Sequence, residues 1–404
     1  MDLILKNRNF RTFVFAQTFR DITLMLFVTS NGWLVLDLTD SSIFVGLAAG
    51  CGGAGMLITS LLAGSIVDRL DRKKILAISH FVISMTHLIV VLFIWTENIN
   101  IGIVLIATFI DGSCTSFRFV CGGTITMDLV GSKELSRATA INFSCMTITG
   151  VFITAIGGIL IDQYGFVSTY ALMSICSFIS SVILVLGLPS ISKNIIDDNR
   201  TSIQELKDGI SYLKQNKRIR SLLFLGLSSE VFGWAHESMV PVVTKYVLGG
   251  GSVELGYILA SGQVGALITT LVLSNYRIKK NRTLILYITY ILFGLLLIGF
   301  VWSKILLLSM FLYCLALLAV ATYEVVLHSL VQTIVPNVMR GRVVSFQILT
   351  WGATGISGMM LGILAGITSP PIAITINTSI LVLNGTRNIV KKVLTNKSIL
   401  SYWE

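Results

Sequence analysis

Long apolar runs alternate with short polar segments along nearly the whole chain. Many of these runs reach the ~20 mostly apolar residues that an α-helix needs to cross a bilayer. We predict twelve membrane-spanning helices, at 12–36, 43–67, 75–95, 101–124, 139–161, 166–188, 221–243, 255–274, 283–302, 305–335, 343–367 and 371–390. The twelfth is the weakest, because Asn377, Asn384 and Arg387 interrupt its apolar core. The pattern therefore predicts an all-α membrane protein.

The longest polar segment lies midway along the chain and separates two groups of six predicted spans. We expect an N-terminal six-helix bundle over residues 1–190, a cytoplasmic central loop over 191–220 and a C-terminal six-helix bundle over 221–404. Within the loop, residues 204–213 have the pattern of a short amphipathic helix that lies along the membrane surface. A plain tether fits this segment equally well.

The two halves carry matching features at matching places. The segments 130–137 and 335–342 both precede the fifth span of their half. Asp21 and Glu230 both lie about nine residues into the first span of their half. Internal repeats of this kind are typical of transporters, whose substrate site lies near the bilayer midplane between the repeats. The repeat therefore favours transport as the function.

Charge is scarce and unevenly placed, at 12% of residues against about a quarter in soluble proteins. Lysine and arginine in short loops stay in the cytoplasm when a membrane protein inserts. If every span crosses, 26 of the 30 basic residues lie on the side of the N-terminus. We therefore expect a multi-pass protein of the plasma membrane with both termini in the cytoplasm. The bilayer accounts for the net charge of +10 without a nucleic-acid partner.

A highly charged loop at 64–74 connects the second and third spans. Its residues Gly64, Asp68, Arg69, Arg72 and Lys73 have the spacing Gly-x-x-x-Asp-Arg-x-x-Arg-Lys. This pattern resembles the signature loop of the major facilitator superfamily. The resemblance implies twelve helices in two six-helix bundles and a loop that gates the movement of the bundles. The chain has Asp71 where that family has glycine, so we expect a differently built turn there.

Other segments resemble the efflux branch of that superfamily, which exports drugs, macrolides and siderophores. They are 38–42 with Val45 and Gly46, 134–142, and a second-half loop with Gln332, Val335, Pro336, Arg340, Gly341, Arg342 and Val343. Thr154 replaces a proline of the branch's fifth-span motif and leaves the pair Gly157 and Gly158. This departure weakens the implication of antiport without removing it. Arg118 also lies further along the fourth span than the branch's basic residue, which would fall near Phe109.

Ionisable residues inside the predicted spans give a separate indication of function. A charge at the bilayer centre costs at least ~2.5–3.5 kcal/mol, so it must face protein or water. The candidates lie in spans 1, 4, 7 and 10 and are Arg20, Asp21, Asp111, Arg118, Glu230, Glu324 and His328. In the facilitator fold that the chain resembles, these four spans line the central cavity. Asp21 and Arg118 should lie at similar depth, where they can pair. Asp111 shares a helix face with Arg118, and Glu324 shares one with His328.

The hypothesis that follows is export of a small hydrophobic or amphipathic molecule by proton antiport with alternating access. Glu230 has no obvious basic partner in its own span, so its carboxyl is a candidate proton carrier. The acids favour a cationic substrate, although Arg20, Arg118 and His328 leave an anionic one open. In the alternative interpretation the charges form static ion pairs that fix helix packing. Candidate aromatic residues for stacking on a substrate or for packing are Trp33, Phe232, Trp234, Tyr313, Tyr323 and Trp351.

Catalytic motifs are not found in the sequence. His236 and Glu237 are not followed by the second histidine of a zinc protease, and no nucleotide-binding Gly-x-x-x-x-Gly-Lys-Ser/Thr loop occurs. The six cysteines include no Cys-x-x-Cys pair. We therefore predict that the protein is not an enzyme and has neither a cofactor nor a metal site. We also expect it to be a monomer. Uptake or facilitated passage of a metabolite, and a transport-inactive scaffold or sensor, remain alternatives to export.

Overall fold

A computed structural model describes residues 6–131, 133–189, 215–275, 281–335 and 337–395. Throughout these ranges the regular secondary structure is helical. The helices are α1 (Arg8–Thr39), α2 (Ser42–Arg69), α3 (Arg72–Trp95), α4 (Ile101–Val130), α5 (Leu135–Gly187), α6 (Lys217–Phe232), α7 (Val240–Tyr246), α8 (Ser252–Asn275), α9 (Arg282–Trp302), α10 (Leu306–Ile334), α11 (Asn337–Ile367) and α12 (Pro370–Thr395). A 3₁₀ helix, Trp234–Met239, separates α6 from α7. The predicted amphipathic helix at 204–213 lies outside the described residues.

Nine helices in the described part of the chain are long and apolar enough to cross a membrane. One of these is α5, which contains both the fifth and the sixth predicted spans. Gly165 separates them with φ 69° and ψ −178°, a conformation that glycine adopts readily because it has no Cβ. Beyond it, the Ser168 hydroxyl donates to the carbonyl of Leu160, eight residues back, at 3.2 Å. The chain therefore reverses at Gly165, as the two-span prediction requires.

The seventh predicted span is broken, where the sequence pattern had indicated one continuous helix. The α-helix stops at Gly233, and the chain continues as the 3₁₀ helix and then α7. A Cβ at Gly233 would lie 2.5 Å from the Phe293 ring, so only glycine fits at this position at the end of α6. The carbonyl of Phe232, next to the break, accepts a 3.2 Å hydrogen bond from the Asn377 side chain. Polar residues of neighbouring helices thus satisfy the backbone groups that the break exposes.

The twelfth span is helical, and its polar residues explain why the sequence signal is weak. Asn377 of α12 bonds to the broken seventh span. Asn384, two turns further on, lies 3.5 Å from the hydroxyls of Ser228 and Tyr290. Both amides therefore point into the protein and not toward lipid. They interrupt the hydrophobic run because they hold α12 against α6 and α9.

The helices pack in two groups that meet along two seams. Within the first group α1 and α3 pack on α5 and α2 packs on α4, and within the second α9 packs on α10 and α12 and α8 packs on α10. Between the groups, α2 packs on α11 and α5 packs on α8. We call α1–α5 the N half and α6–α12 the C half. The end of the molecule where α1 begins is the basic end, and the end where α1 stops is the far end.

Glycines form both seams. A Cβ on Gly46 of α2 would lie 2.8 Å from the Cα of Gly362 in α11. A Cβ on Gly158 of α5 would overlap the carbonyl oxygen of Ser252 in α8, and Gly158 also faces Gly256. The backbones of the two halves are therefore in direct contact. The second span of the N half packs on the fifth span of the C half, and the second span of the C half packs on the fifth span of the N half. This reciprocal packing is the symmetry expected of two related halves.

Candidate functional site

Two ion pairs lie side by side between α1 and α4. Arg118 of α4 is paired with Asp21 of α1. Arg20 of α1 lies 3.6 Å from Asp111 of α4, measured from Nη2 to Oδ1, and donates a 3.1 Å hydrogen bond to the Thr115 hydroxyl. Arg20 is 0% exposed and Asp21 is 3% exposed. These four buried charges sum to zero.

Helix geometry explains the pairing. Asp111 and Arg118 are seven residues apart, so both face α1 from the same side of α4. Arg20 and Asp21 are consecutive, so they leave α1 in different directions and meet different turns of α4. Each arginine therefore finds a separate carboxylate, and removing any one of the four would leave a buried charge without its partner.

Further polar side chains extend this network toward the far end. His87 Nε2 lies 3.7 Å from Asp111 Oδ1, and its ring packs edge-on against Tyr170 with 5.7 Å between ring centres. The Tyr170 hydroxyl and the Thr108 hydroxyl both donate to Asn31 Oδ1, at 3.3 and 3.2 Å. Asn31 and Tyr170 were not predicted from the sequence as site residues. Neither has a local signal, because their partners lie on other helices.

The C half presents carboxylates in place of ion pairs. Glu230 of α6 accepts a 2.7 Å hydrogen bond from the Thr354 hydroxyl of α11. Glu324 of α10 accepts a 2.8 Å hydrogen bond from the indole N–H of Trp234. Glu230 is buried, and Glu324 is half-buried. Among the described residues, neither forms a salt bridge with lysine or arginine. His328 lies one turn beyond Glu324 on α10.

A third acid, Glu237, lies in the same broken span as Glu230. It is part of the 3₁₀ helix that interrupts the seventh span, seven residues after Glu230. In the sequence, Glu237 is noticeable only beside His236, as part of a zinc motif that is incomplete. Its position near the end of the predicted span concealed it.

An aromatic pair connects the two halves beside these charges. The rings of Phe119 in α4 and Trp351 in α11 pack with 4.7 Å between centres at 60°. The Arg118 guanidinium lies 5.7 Å from the centre of the Phe119 ring. On α11, Trp351 and Thr354 are three residues apart and share a face. Continuous contacts therefore run from the Asp21–Arg118 pair, through the two rings, to the helix face that binds Glu230.

The other predicted aromatic residues occupy different surroundings. Tyr313 is 2% exposed and packs on Phe300, and Tyr323 is 1% exposed and packs on Tyr290. Trp33 and Phe232 are partly buried against the main hydrophobic core. The structure thus brings Trp234 and Trp351 to the acids and places the two tyrosines in the core.

The charged loop between α2 and α3 holds helices of the N half together. Asp71 caps α3 by accepting a 3.0 Å hydrogen bond from the backbone N–H of Lys73, at φ −63°. A helix cap with ordinary dihedrals therefore stands where the related family has glycine. Arg72 forms a 2.5 Å ion pair with Asp128 of α4. Lys73 Nζ donates to the carbonyl of Leu188, just after α5, at 2.6 Å.

The remaining predicted loop residues are not described at the level of side chains. Helix α2 runs through 64–69 as far as Arg69. The predicted residues whose side chains lie outside the described part are Gly64, Asp68, Arg69, Gln332, Pro336, Arg340, Gly341 and Arg342. Their gating role stays a prediction.

An ion pair joins the two halves at the far end. Asp40, which ends α1 with φ 49°, accepts a 2.6 Å hydrogen bond from Lys245 Nζ and a 2.7 Å hydrogen bond from the Tyr246 hydroxyl. The hydrogen bond from Lys245 is the main cause that lowers the pKa of Asp40 below its ordinary value of 3.8, and Tyr246 adds to it. Because a lowered pKa means that the contact is lost only in acid below 3.8, this pair remains intact across the neutral range.

Sequence comparison places the chain among known transporters. The sequence profile of the transmembrane secretion effector family, within the major facilitator superfamily, matches residues 4–400. The chain belongs to this family. Its members and structural neighbours are transporters, so the protein is a multi-pass membrane transporter for a small molecule.

Individual relatives support the same assignment. The staphyloferrin A transporter of Staphylococcus aureus (strain NCTC 8325 / PS 47) is 25% identical over 83% of this chain and 84% of its own length. The macrolide efflux protein A of Enterococcus faecalis is 24% identical over 57% of this chain and 72% of its own length. A crystal structure of a mutant of the nucleoside transporter NupG superposes with a TM-score of 0.74, at 15% identity, over 94% of this chain and 99% of that one. The predicted major facilitator fold and efflux branch are therefore confirmed.

Proposed function

We propose that the protein is a secondary active exporter that exchanges a small hydrophobic or amphipathic molecule for protons. The observation that carries this proposal is the pair of carboxylates Glu230 and Glu324, each of which accepts a hydrogen bond from a neutral side chain and forms no salt bridge with lysine or arginine among the described residues. Two negative charges inside a protein are costly unless a partner offsets them. A proton is the smallest partner that can come and go.

The N half supports the proposal by contrast. Its arginines and aspartates neutralise one another and are almost completely buried. Protonation of an aspartate there would require breaking a buried ion pair. Breaking such a pair costs ~3–5 kcal/mol. We therefore assign the Asp21–Arg118 and Arg20–Asp111 pairs to helix positioning, and proton exchange to the C half.

Movement of the halves would couple protons to substrate. Both glycine seams and the Asp40–Lys245 pair lie toward the far end, so opening that end requires their separation. We place the basic end in the cytoplasm, in agreement with the distribution of lysine and arginine. A proton that moves inward down 100 mV supplies about 2.3 kcal/mol, enough for severalfold accumulation of substrate outside.

Export is the direction favoured by the relatives. A macrolide efflux protein and an enterobactin exporter are among them. The fold alone leaves direction open, so the experiment must measure it. Proton coupling and alternating access rest on the carboxylate pair and on the seams between the halves.

The test uses purified full-length protein in liposomes with an imposed pH gradient and a panel of macrolides, siderophores and lipophilic dyes. We expect at least one compound to be concentrated against its gradient. Glu230→Gln and Glu324→Gln should each lower gradient-driven transport at least tenfold and leave downhill exchange in place. Glu97→Gln, an exposed acid in the loop after α3, serves as the matched control. Undiminished uphill transport by the Glu230→Gln/Glu324→Gln double variant would refute coupling through these residues.

A further inference from the structure

An apolar groove lies on the outer surface between α8 and α10. Its volume is about 640 Å³, with Ser261 of α8 on one side and side chains from residues 305–314 on the other. Leu307 in this wall is 75% exposed, so the groove opens away from the protein core. A Cβ on Gly265, one turn beyond Ser261, would overlap the carbonyl oxygen of Cys314, so the two backbones touch at that end of the groove. The groove is therefore open to lipid and closed where α8 meets α10.

The groove has the depth of one membrane leaflet. It runs from Ile305 to Cys314, nine residues later, which is about 14 Å along a helix. Half of the ~30 Å hydrocarbon core of a bilayer is about 15 Å. Trp302, at the end of α9, is 57% exposed, and exposed tryptophans collect at the level of the lipid headgroups. The groove therefore extends from the headgroups at the far end to the middle of the bilayer, in the direction of an acyl chain.

A lysine stands at the mouth of the groove. Lys304 is exposed and directly precedes Ile305. The other described basic residue at the far end, Lys245, is paired with Asp40. Among the described residues, which include the helix ends on this side, Lys304 forms no salt bridge. Its positive charge is therefore available to a ligand that lies in the groove.

The surroundings of Lys304 favour an anion. Glu254, two turns before Ser261 on the same face of α8, accepts a 2.6 Å hydrogen bond from the backbone N–H of Gly251 at the start of its own helix. Helix α10 begins without a side-chain hydrogen bond to its first turn. The partial positive charge of these N–H groups adds to the charge of Lys304. A positive mouth above an apolar groove matches the chemistry of a lipid with a negative headgroup.

We propose that the groove binds an anionic phospholipid, with the phosphate at Lys304 and one acyl chain between α8 and α10. The groove and the lysine act together, because a chain that fills the groove places its headgroup at the lysine. A lysine near the membrane surface favours an anionic lipid over a neutral one about fivefold. The bound chain holds α10, which carries Glu324, against α8, which forms the seam with α5. Lipid binding here does not depend on the direction or the coupling of transport.

The test uses two photoreactive phospholipids with the same diazirine-bearing acyl chain, a phosphatidylglycerol and a phosphatidylcholine. Purified full-length protein in neutral detergent is irradiated with each lipid at equal concentration, and the crosslinked residues are located by peptide mass spectrometry. We expect phosphatidylglycerol to label residues 305–314 about fivefold more than phosphatidylcholine, which has no net charge. An excess of soluble glycerol phosphate should leave this labelling unchanged, because it has no chain to fill the groove.

Matched variants separate the charge from the groove. Lys304→Gln should reduce labelling by phosphatidylglycerol to the level of phosphatidylcholine, and Lys304→Arg should preserve the difference. Lys133→Gln, which removes an exposed lysine at the basic end, should leave labelling of the groove unchanged. Ser261→Phe puts a ring into the groove and should reduce labelling by both lipids severalfold. Ile89→Phe, at a 50% exposed position on α3, should not.

Three outcomes would overturn the inference. The first is equal labelling of the groove by the two lipids, with no effect of Lys304→Gln. The second is loss of labelling in the presence of glycerol phosphate, which would assign the lysine to a soluble phosphate. The third is a dimer in native mass spectrometry together with no labelling of residues 305–314 by either lipid, which would mean that a second copy of the chain covers the groove. Elution and melting temperature of each variant are compared with the unaltered protein, so that a folding defect is recognised as such.

Discussion

Single buried charges have different surroundings in the two halves. Arg118 and Arg20 each face an aspartate, whereas Glu230 and Glu324 accept hydrogen bonds from the neutral side chains of Thr354 and Trp234. The amino-acid types and their depth in the spans were visible in the sequence. Their partners were not, because each partner lies on another helix and pairing depends on how the helices are rotated.

The N-half pairs predict a specific non-additivity of mutations. Arg118→Met alone leaves the Asp21 carboxylate buried without its cation, so we expect a destabilisation of ~3–5 kcal/mol. The Asp21→Asn/Arg118→Met double variant removes both charges and should recover most of that loss. Thermal unfolding in detergent measures both, with the exposed Arg387→Gln as a control expected to behave like the unaltered protein. If the double variant is as unstable as Arg118→Met, or less stable, the result would contradict a buried ion pair that positions α1 against α4.

Helix packing depends on glycine where two backbones meet. Gly165 allows the reversal in α5, Gly233 allows the break in the seventh span, and Gly158 allows the α5–α8 seam. The sequence marks each as a small residue but does not distinguish a turn, a break and a close contact. The hydrophobic pattern likewise predicted the seventh span as one helix, since the break adds few polar residues and its exposed carbonyls are satisfied from α11 and α12.

The α5–α8 seam predicts that Gly158→Ala will favour an open far end. The added Cβ would overlap the Ser252 carbonyl oxygen, and overpacking of this kind costs ~1–3 kcal/mol. Ser42→Cys, at a buried position near Gly362, reports opening by reaction with a thiol reagent in a background without the six natural cysteines. We expect faster labelling in Gly158→Ala. Gly123→Ala, whose Cβ meets nothing within 4 Å, should label at the original rate; equal rates for both variants would argue against separation at this seam.

The whole molecule consists of two related halves that differ in the ionisable residues they bury. If one half is superposed on the other, the α2–α11 seam takes the position of the α5–α8 seam. This symmetry agrees with the equivalent positions of Asp21 and Glu230 in their halves. Described basic residues such as Arg8, Arg72 and Lys133 lie toward the end where α1 begins, and the described basic residues at the far end are Lys245 and Lys304. This asymmetry gives the molecule an expected orientation in the membrane.

Orientation can be measured on intact cells with a membrane-impermeant thiol reagent. Glu97→Cys, in the exposed loop at the far end, should react without permeabilisation. Lys133→Cys, exposed between α4 and α5 at the basic end, should react only after permeabilisation. Both variants are made in the background without natural cysteines, and each lies outside the helices. The reverse pattern would place the basic end outside and overturn the proposed topology.

The sequence by itself determined the spans, the division into halves and the identity of the buried ionisable residues, because hydrophobic length and the cost of a charge in lipid act along the chain. It also carried the family resemblance, in residues such as Arg72 and Lys73. Only the tertiary structure decided that Arg20 and Arg118 are paired with aspartates, while Glu230 and Glu324 form no salt bridge with lysine or arginine in the described part of the chain. Electrostatic partnership depends on distances between helices, and those distances are set by glycine contacts and helix breaks that no local pattern encodes.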